Sequence, residues 1–292
     1  MAESIAKPTP IDSSAALFDR ELSWLAFARR VLAVAEDPAL PLLERVKFAG
    51  IIGMLHDEFF VKRISGIKRR LRRSSAKQST DDRIARLRAY RDEILDQMDK
   101  LARVIREDLR PRLSQENLPI IDYDELDDEQ KEYLRDYFQR SVQPILTPLA
   151  VDASHPFPFI SSHALNLAVQ VSDGKTGKHR FVRIKVPNNR PRWTMLPMHA
   201  GFVPLEQVIG NNLDLMFPSP PPSEVSCFRV TRGAEGERDE GADLAPEEPV
   251  VEPGSIVSQV SNELKERRFA GAVRLQVDAD MPKSMVESIA KQ

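Results

Sequence analysis

Between Asp81 and Leu109 nothing in the sequence breaks a helix, and Ile84, Leu87, Ile94, Met98, Leu101 and Ile105 recur at steps of three and four. Arg91 stands where a further seam residue is expected. A helix of that length with one apolar seam has to lie along other helices, so the pattern predicts a bundle that ends at Pro111. Asp19 is placed to cap a preceding helix, Arg20 to Ala35, with Trp24, Phe27, Ala28, Val31, Leu32 and Ala35 as its apolar stripe. A third helical stretch fills Leu40 to Arg73. Its Leu43, Val46, Ala49, Gly50 and Gly53 share a face, and the two glycines predict close packing or a bend. The expected organisation is a polar, flexible tail over residues 1–16 followed by a helical N-terminal domain over residues 17–115.

Residues 116–292 have a different character and read as an α/β (α+β) head domain, which makes the chain a multidomain α and α/β protein. A short acidic helix, Asp127 to Phe138, leads into a proline-punctuated extended segment, Pro144 to Phe159. Leu165, Leu167, Val169 and Val171 then alternate with polar or small residues, as do Val182, Ile184 and Val186, predicting two strands. Helix is expected over Pro204 to Phe217 and strand over Val225 to Thr231. An acidic, Gly- and Pro-bearing insert at 233–254 reads as flexible. Helix (Ser255 to Arg268) and strand (Ala272 to Val277) follow, and a final helix opens at Pro282. The chain stops inside that amphipathic segment, which reads as a truncation.

A net charge of −2 argues against a wholesale nucleic-acid binder, and the single cysteine, Cys227, excludes an intrachain disulfide or a cysteine zinc cluster. No apolar run is long enough to span a membrane and no secretion signal opens the chain, so the expected location is cytoplasmic. There is no P-loop, dinucleotide fingerprint or nucleophile elbow. His155, His163, His179 and His199 are scattered without partners at ligand spacing, and Asp122 to Glu132 reads as a solvated helix start rather than a metal site. His56, Asp57 and Glu58 precede Phe59 and Phe60, but on a helix the three point in different directions. Lys62, Arg63, Lys68, Arg69, Arg70, Arg72 and Arg73 then form a basic arm, open to two readings: a polyanion-binding surface or a solvated helix end.

Several ordered segments carry a resemblance. FDRELSWLAFARRVL (18–32), AEDP (35–38), PLLERVKF (41–48) and DEFF (57–60) resemble the N-terminal domain of bacterial polyphosphate kinase of the first type. TPLAVDASHPFPFI (147–160), LNLAV (165–169), FVRIKVP (181–187) and FRVTR (228–232) resemble its head domain. The resemblance implies reversible transfer of the terminal phosphate of ATP to polyphosphate through a phosphohistidine, with Mg2+. It also implies that the histidine-bearing domains of phospholipase-D-like fold, with the metal ligands, lie outside this chain. The chain alone is therefore expected to be inactive, with no catalytic residue and no metal ligand of its own. The family asparagine that helps hold the ATP base corresponds to Leu55, followed by His56, and a leucine cannot supply the amide's hydrogen bonds. Arg63, Lys68, Arg69 and Arg70 are expected to face polyphosphate. The acidic insert from Glu235 onward departs from the family's shorter link. Implied partners are ATP or ADP, polyphosphate and further copies of the chain, as a dimer or tetramer through the head. No aromatics are interleaved to stack bases, so nucleic acid is not expected. The competing reading is a nonenzymatic polyanion-binding or dimerisation module.

Overall fold

The computed structural model describes residues 18–67, 80–151, 157–172, 179–217, 221–233 and 271–291. The expected tail (1–16), the insert beyond Gly233, the helix from Ser255 to Arg268 and five of the basic-arm residues, Lys68, Arg69, Arg70, Arg72 and Arg73, lie outside the described residues. The chain divides into two compact units, Met1–Phe59 with Gly66–Leu109, and Phe60–Ser65 with Arg110–Gln292.

The first unit is helical. Helix α1 (Arg20–Glu36) begins at Asp19, whose carboxylate accepts from the amides of Glu21 and Leu22 at 3.0 and 2.9 Å. Its buried stripe is Leu25, Ala28, Leu32 and Ala35, rotated from the expected one, and Phe27 is left 45% exposed. Helix α2 (Leu42–Glu58) buries Arg45, Ala49, Ile52 and His56 rather than Leu43, which is 62% exposed. The cause is Arg45, which donates to the carbonyl oxygens of Ala35 and Glu36 and pairs with Asp108. The last carbonyls of α1 need donors, and this need draws a guanidinium into the packed face. The expectation of close packing at the glycines is overturned. A Cβ on Gly50 or Gly53 would meet nothing within 4 Å, and α2 continues through both.

Helix α3 (Thr80–Arg103) packs through Tyr90, Ile94 and Gln97, with Leu101 half-buried. Ile94 and Leu101 keep the expected seam, Tyr90 takes the place expected at Arg91 and Gln97 that of Met98, while Ile84 and Ile105 are exposed. Pro111 does not end the helical path. A π-helical turn, Val104–Leu109, precedes it, and α4 (Arg110–Gln115) runs on through the proline. Where the hydrogen-bond ladder is already displaced, a missing N–H and a bulky ring cost less.

In the second unit α5 (Asp128–Tyr137) is capped by Asp127 in a reciprocal capping box with Gln130. The main sheet has strands β1 (Leu149–Val151), β2 (Leu165–Ser172), β3 (His179–Lys185), β6 (Glu224–Arg232) and β7 (Ala272–Val277). They are ordered β1-β3-β2-β6-β7 and every pairing is antiparallel, which settles the head as α+β. A separate hairpin, β4 (Trp193–Met195) with β5 (Phe202–Pro204), was not apparent from the sequence. The expected helix after it shrinks to α6 (Leu205–Gly210) and a 3-10 turn, Leu213–Leu215. One face of the sheet (Leu167, Val169, Val182 and Ile184) packs with Leu134, Phe138, Leu205 and Val208. The opposite face (Ala168, Phe228 and Val230) is covered by Ile160 and by Met285 and Ile289 of α7 (Lys283–Ala290). Among the described residues no helix is long and apolar enough to cross a membrane.

Candidate functional site

In the first unit the end of α2 holds Leu55 and His56. The His56 ring is 2% exposed, its Nε2 lying 3.0 Å from Oε1 of Gln97. Gln97, fully buried, donates from Nε2 to the Leu25 carbonyl at 2.9 Å and to Glu93 Oε1 at 2.7 Å. Arg29 then pairs with Glu93 and Asp96. One polar chain thus ties α1, α2 and α3, and His56 is an internal member of it. Leu55 is half-buried against Ala28, Leu32 and Ile52. Asp57 is half-buried and Glu58 exposed, so the three polar residues diverge around the helix as their spacing requires. At the start of the same bundle the Tyr90 hydroxyl donates to Asp19 at 2.7 Å. Burial of Asp19 would raise its pKa, but the Leu22 and Glu21 amides and the Tyr90 hydroxyl favour its ionised form and hold it below the ordinary value. Burial and the nearby carboxylate push the Tyr90 phenol up.

The helical path continues past Glu58 as a π-helical turn, Phe59–Ile64, a feature that recurs at functional positions. Phe59 is fully buried in the first unit, its ring centroid 5.3 Å from that of Trp24 and 6.2 Å from that of Tyr90. Phe60 belongs to the second unit and lies under the Arg274 guanidinium at 4.5 Å, so it supports a cation rather than filling the core. Ser65, in the same short segment, is so close to Gly233 that a Cβ there would come within 2.5 Å of the serine oxygen. Lys62 is exposed and Arg63 half-buried. Arg274 of β7, which covers Phe60, is a residue that nothing in the sequence singled out. Only an arginine breaking the apolar run of the last strand could have marked it. Gln97 was missed because it occupies a position that the seam pattern assigns to neighbouring Met98. Among the described residues no three His, Cys, Asp or Glu side chains form a metal-holding group.

A helical unit and an antiparallel α+β head define a two-part module. The polyphosphate kinase N-terminal domain family matches residues 17–121, and the polyphosphate kinase middle domain family matches residues 129–292. The chain belongs to the polyphosphate kinase family. It is 38% identical to a polyphosphate kinase of Thermosynechococcus vestitus over 298 residues, covering 98% of this chain and 39% of that protein. It is also 38% identical to a polyphosphate kinase of Mycolicibacterium gilvum, covering 100% of this chain and 39% of the relative. The chain therefore spans about two-fifths of the length of these relatives. The crystal structure of polyphosphate kinase from Porphyromonas gingivalis shares the fold, with a TM-score of 0.72 at 24% identity, over 94% of this chain and 37% of that one.

Proposed function

We propose that this chain is the N-terminal part of an enzyme that reversibly transfers the terminal phosphate of ATP to polyphosphate through a phosphohistidine carried outside residues 1–292. The observation that supports the reading is the unbroken succession of the two polyphosphate kinase domain families along the chain, residues 17–121 and then 129–292. In this reading the helical unit forms one wall of the nucleotide site. Leu55 offers the base an apolar contact, and His56, locked to Gln97, fixes the helix that carries it. Arg63, Lys68, Arg69 and Arg70 face polyphosphate, a chain whose repeated charge calls for a cationic track. The head supplies contacts between copies of the chain. Mg2+ enters through the family only. The described residues do not fit a metal, so it has no part in what they do.

The test is direct. The purified chain should neither make polyphosphate from ATP nor take label from its γ-phosphate. Acid-labile, base-stable label on His56, His155, His163, His179 or His199 would overturn the assignment of the phosphohistidine. The chain should bind polyphosphate with a steep salt dependence, and the triple variant Arg63→Glu, Arg69→Glu, Arg70→Glu should bind more weakly with a flatter salt slope. Unchanged affinity and slope in a folded triple variant would reduce the arm to a solvated surface.

A further inference from the structure

Several of the second unit's arginines are paired with carboxylates: Arg110 with Asp122, Arg135 with Asp214, Arg192 with Glu206. Arg183, near the middle of β3, has no carboxylate partner among the described residues and is the most buried of these arginines. It is only 7% exposed, and its one hydrogen bond runs from Nε to Asn166 Oδ1 at 2.7 Å. Asn166 is itself fully buried and held by its own donation to the Ala164 carbonyl at 2.7 Å. Among the described residues the two Nη nitrogens have no hydrogen-bond partner. They are the unbonded edge of the fork, on a residue that keeps 7% of its surface exposed. Burial lowers the pKa of Arg183, yet a guanidinium keeps its proton at any working pH, and a positive charge thus stays desolvated without a counter-charge among the described residues.

The register places Lys185 on the same face. Ala168 lies opposite Arg183 and Asn166 opposite Lys185, so the two cations stand in adjacent rows beside Asn166. Lys185 is half-buried and also makes no ion pair among the described residues. Glu224 at the start of β6 and Glu287 on α7 are the carboxylates of the elements packed over this face, and neither pairs with either cation. Two neighbouring positive charges, one a fork with two free donors, match a doubly charged tetrahedral oxyanion better than a planar carboxylate.

We propose that Arg183 and Lys185, with Asn166 orienting the guanidinium, form a phosphate-binding site on the α7-covered face of the head sheet. The site takes inorganic phosphate or the terminal phosphate of a longer chain. That choice of anion rests on the polyphosphate reading, whereas the site itself does not.

Inorganic phosphate is the probe, with the whole 292-residue chain. Phosphate should raise the unfolding midpoint where chloride at equal ionic strength does not, and its 31P resonance should broaden on adding protein. Arg183→Gln should weaken phosphate binding about tenfold, the loss of a charge-assisted hydrogen bond. Lys185→Gln should weaken it several-fold while leaving the midpoint without phosphate unchanged. If Arg183→Gln fails to fold, Arg183→Lys and Lys185→Gln decide: weakened phosphate binding in both supports the site, and unchanged affinity in both sinks it. A wild-type chain with no phosphate-specific response also sinks it. The Arg63→Glu, Arg69→Glu, Arg70→Glu variant separates the two ideas, because it should lose long-chain polyphosphate and keep the response to inorganic phosphate.

Discussion

Gln97 illustrates how much of this bundle depends on single polar side chains. Its amide serves His56, Leu25 and Glu93 at once, in a position where an apolar residue would pack equally well. Gln97→Leu should therefore cost about 1–3 kcal/mol in denaturant unfolding, because it removes the buried hydrogen bonds to the His56 ring, the Leu25 carbonyl and Glu93. Asp19 offers a test by pH. Its folded-state pKa is depressed, so its contribution to stability is present above the ordinary value of 3.8 and is lost as pH falls through the folded value. Asp19→Asn should flatten that acid limb of the stability profile, and an unaltered limb would assign it to other carboxylates. Cys227 is suited to a chemical test, being the sole cysteine. Burial, with Asp278 alongside, pushes its thiol up to about 12 from 9.0. Alkylation of the folded chain at pH 8 should thus be slower than that of the unfolded chain by at least about tenfold.

At the scale of elements, two glycines make opposite predictions. Gly50 is exposed in the interior of α2 with open space around it, so Gly50→Ala should stabilise the chain by about 0.5–1 kcal/mol. Gly201 has φ +148°, and a Cβ there would lie 2.9 Å from the Pro119 carbonyl oxygen, so Gly201→Ala should destabilise by about 1–3 kcal/mol. Thermal or urea unfolding of the pair checks both signs. The same contrast explains what could be read in advance. The α1 start at Asp19, the β2 and β3 alternation and the strand around Phe228 are dictated by neighbours in the chain, and they were legible. Which face of α1, α2 and α3 turns inward is decided by partners remote in sequence. Arg45 meets Asp108 and the end of α1, and no periodicity contains that contact. The β4–β5 hairpin was hidden because its strands are short and its loop uses positive φ at Met198 and His199, neither a residue that announces a turn. Of the candidate site, the basic residues of the arm were legible as a charge run. Arg274 and the Arg183–Asn166 pair depend on strand register, which composition does not reveal.

For the molecule as a whole, the sheet order has a consequence for how the head is made. Strands β2 and β3 are neighbours both in the chain and in the sheet, with only the residues between Ser172 and His179 to close. Strand β6 must reach β2 across everything between Lys185 and Glu224, and β7 pairs with β6 only after the long passage from Arg232 to Ala272. Because closing a loop costs more as it lengthens, the β2–β3 pair is the cheapest nucleus, and β7, which can pair only once β6 is in place, is the last addition. We predict that Val169→Ala slows refolding nearly in proportion to the stability that it removes, whereas Leu275→Ala chiefly speeds unfolding, and a refolding rate equally sensitive to both would refute this order. On a ribosome, then, β6 would emerge and pair with β2 while its other edge stood open, awaiting a strand that is still dozens of codons away. A nascent head would pass through that interval with a sticky, half-finished sheet, and its need for a chaperone would end when β7 arrives.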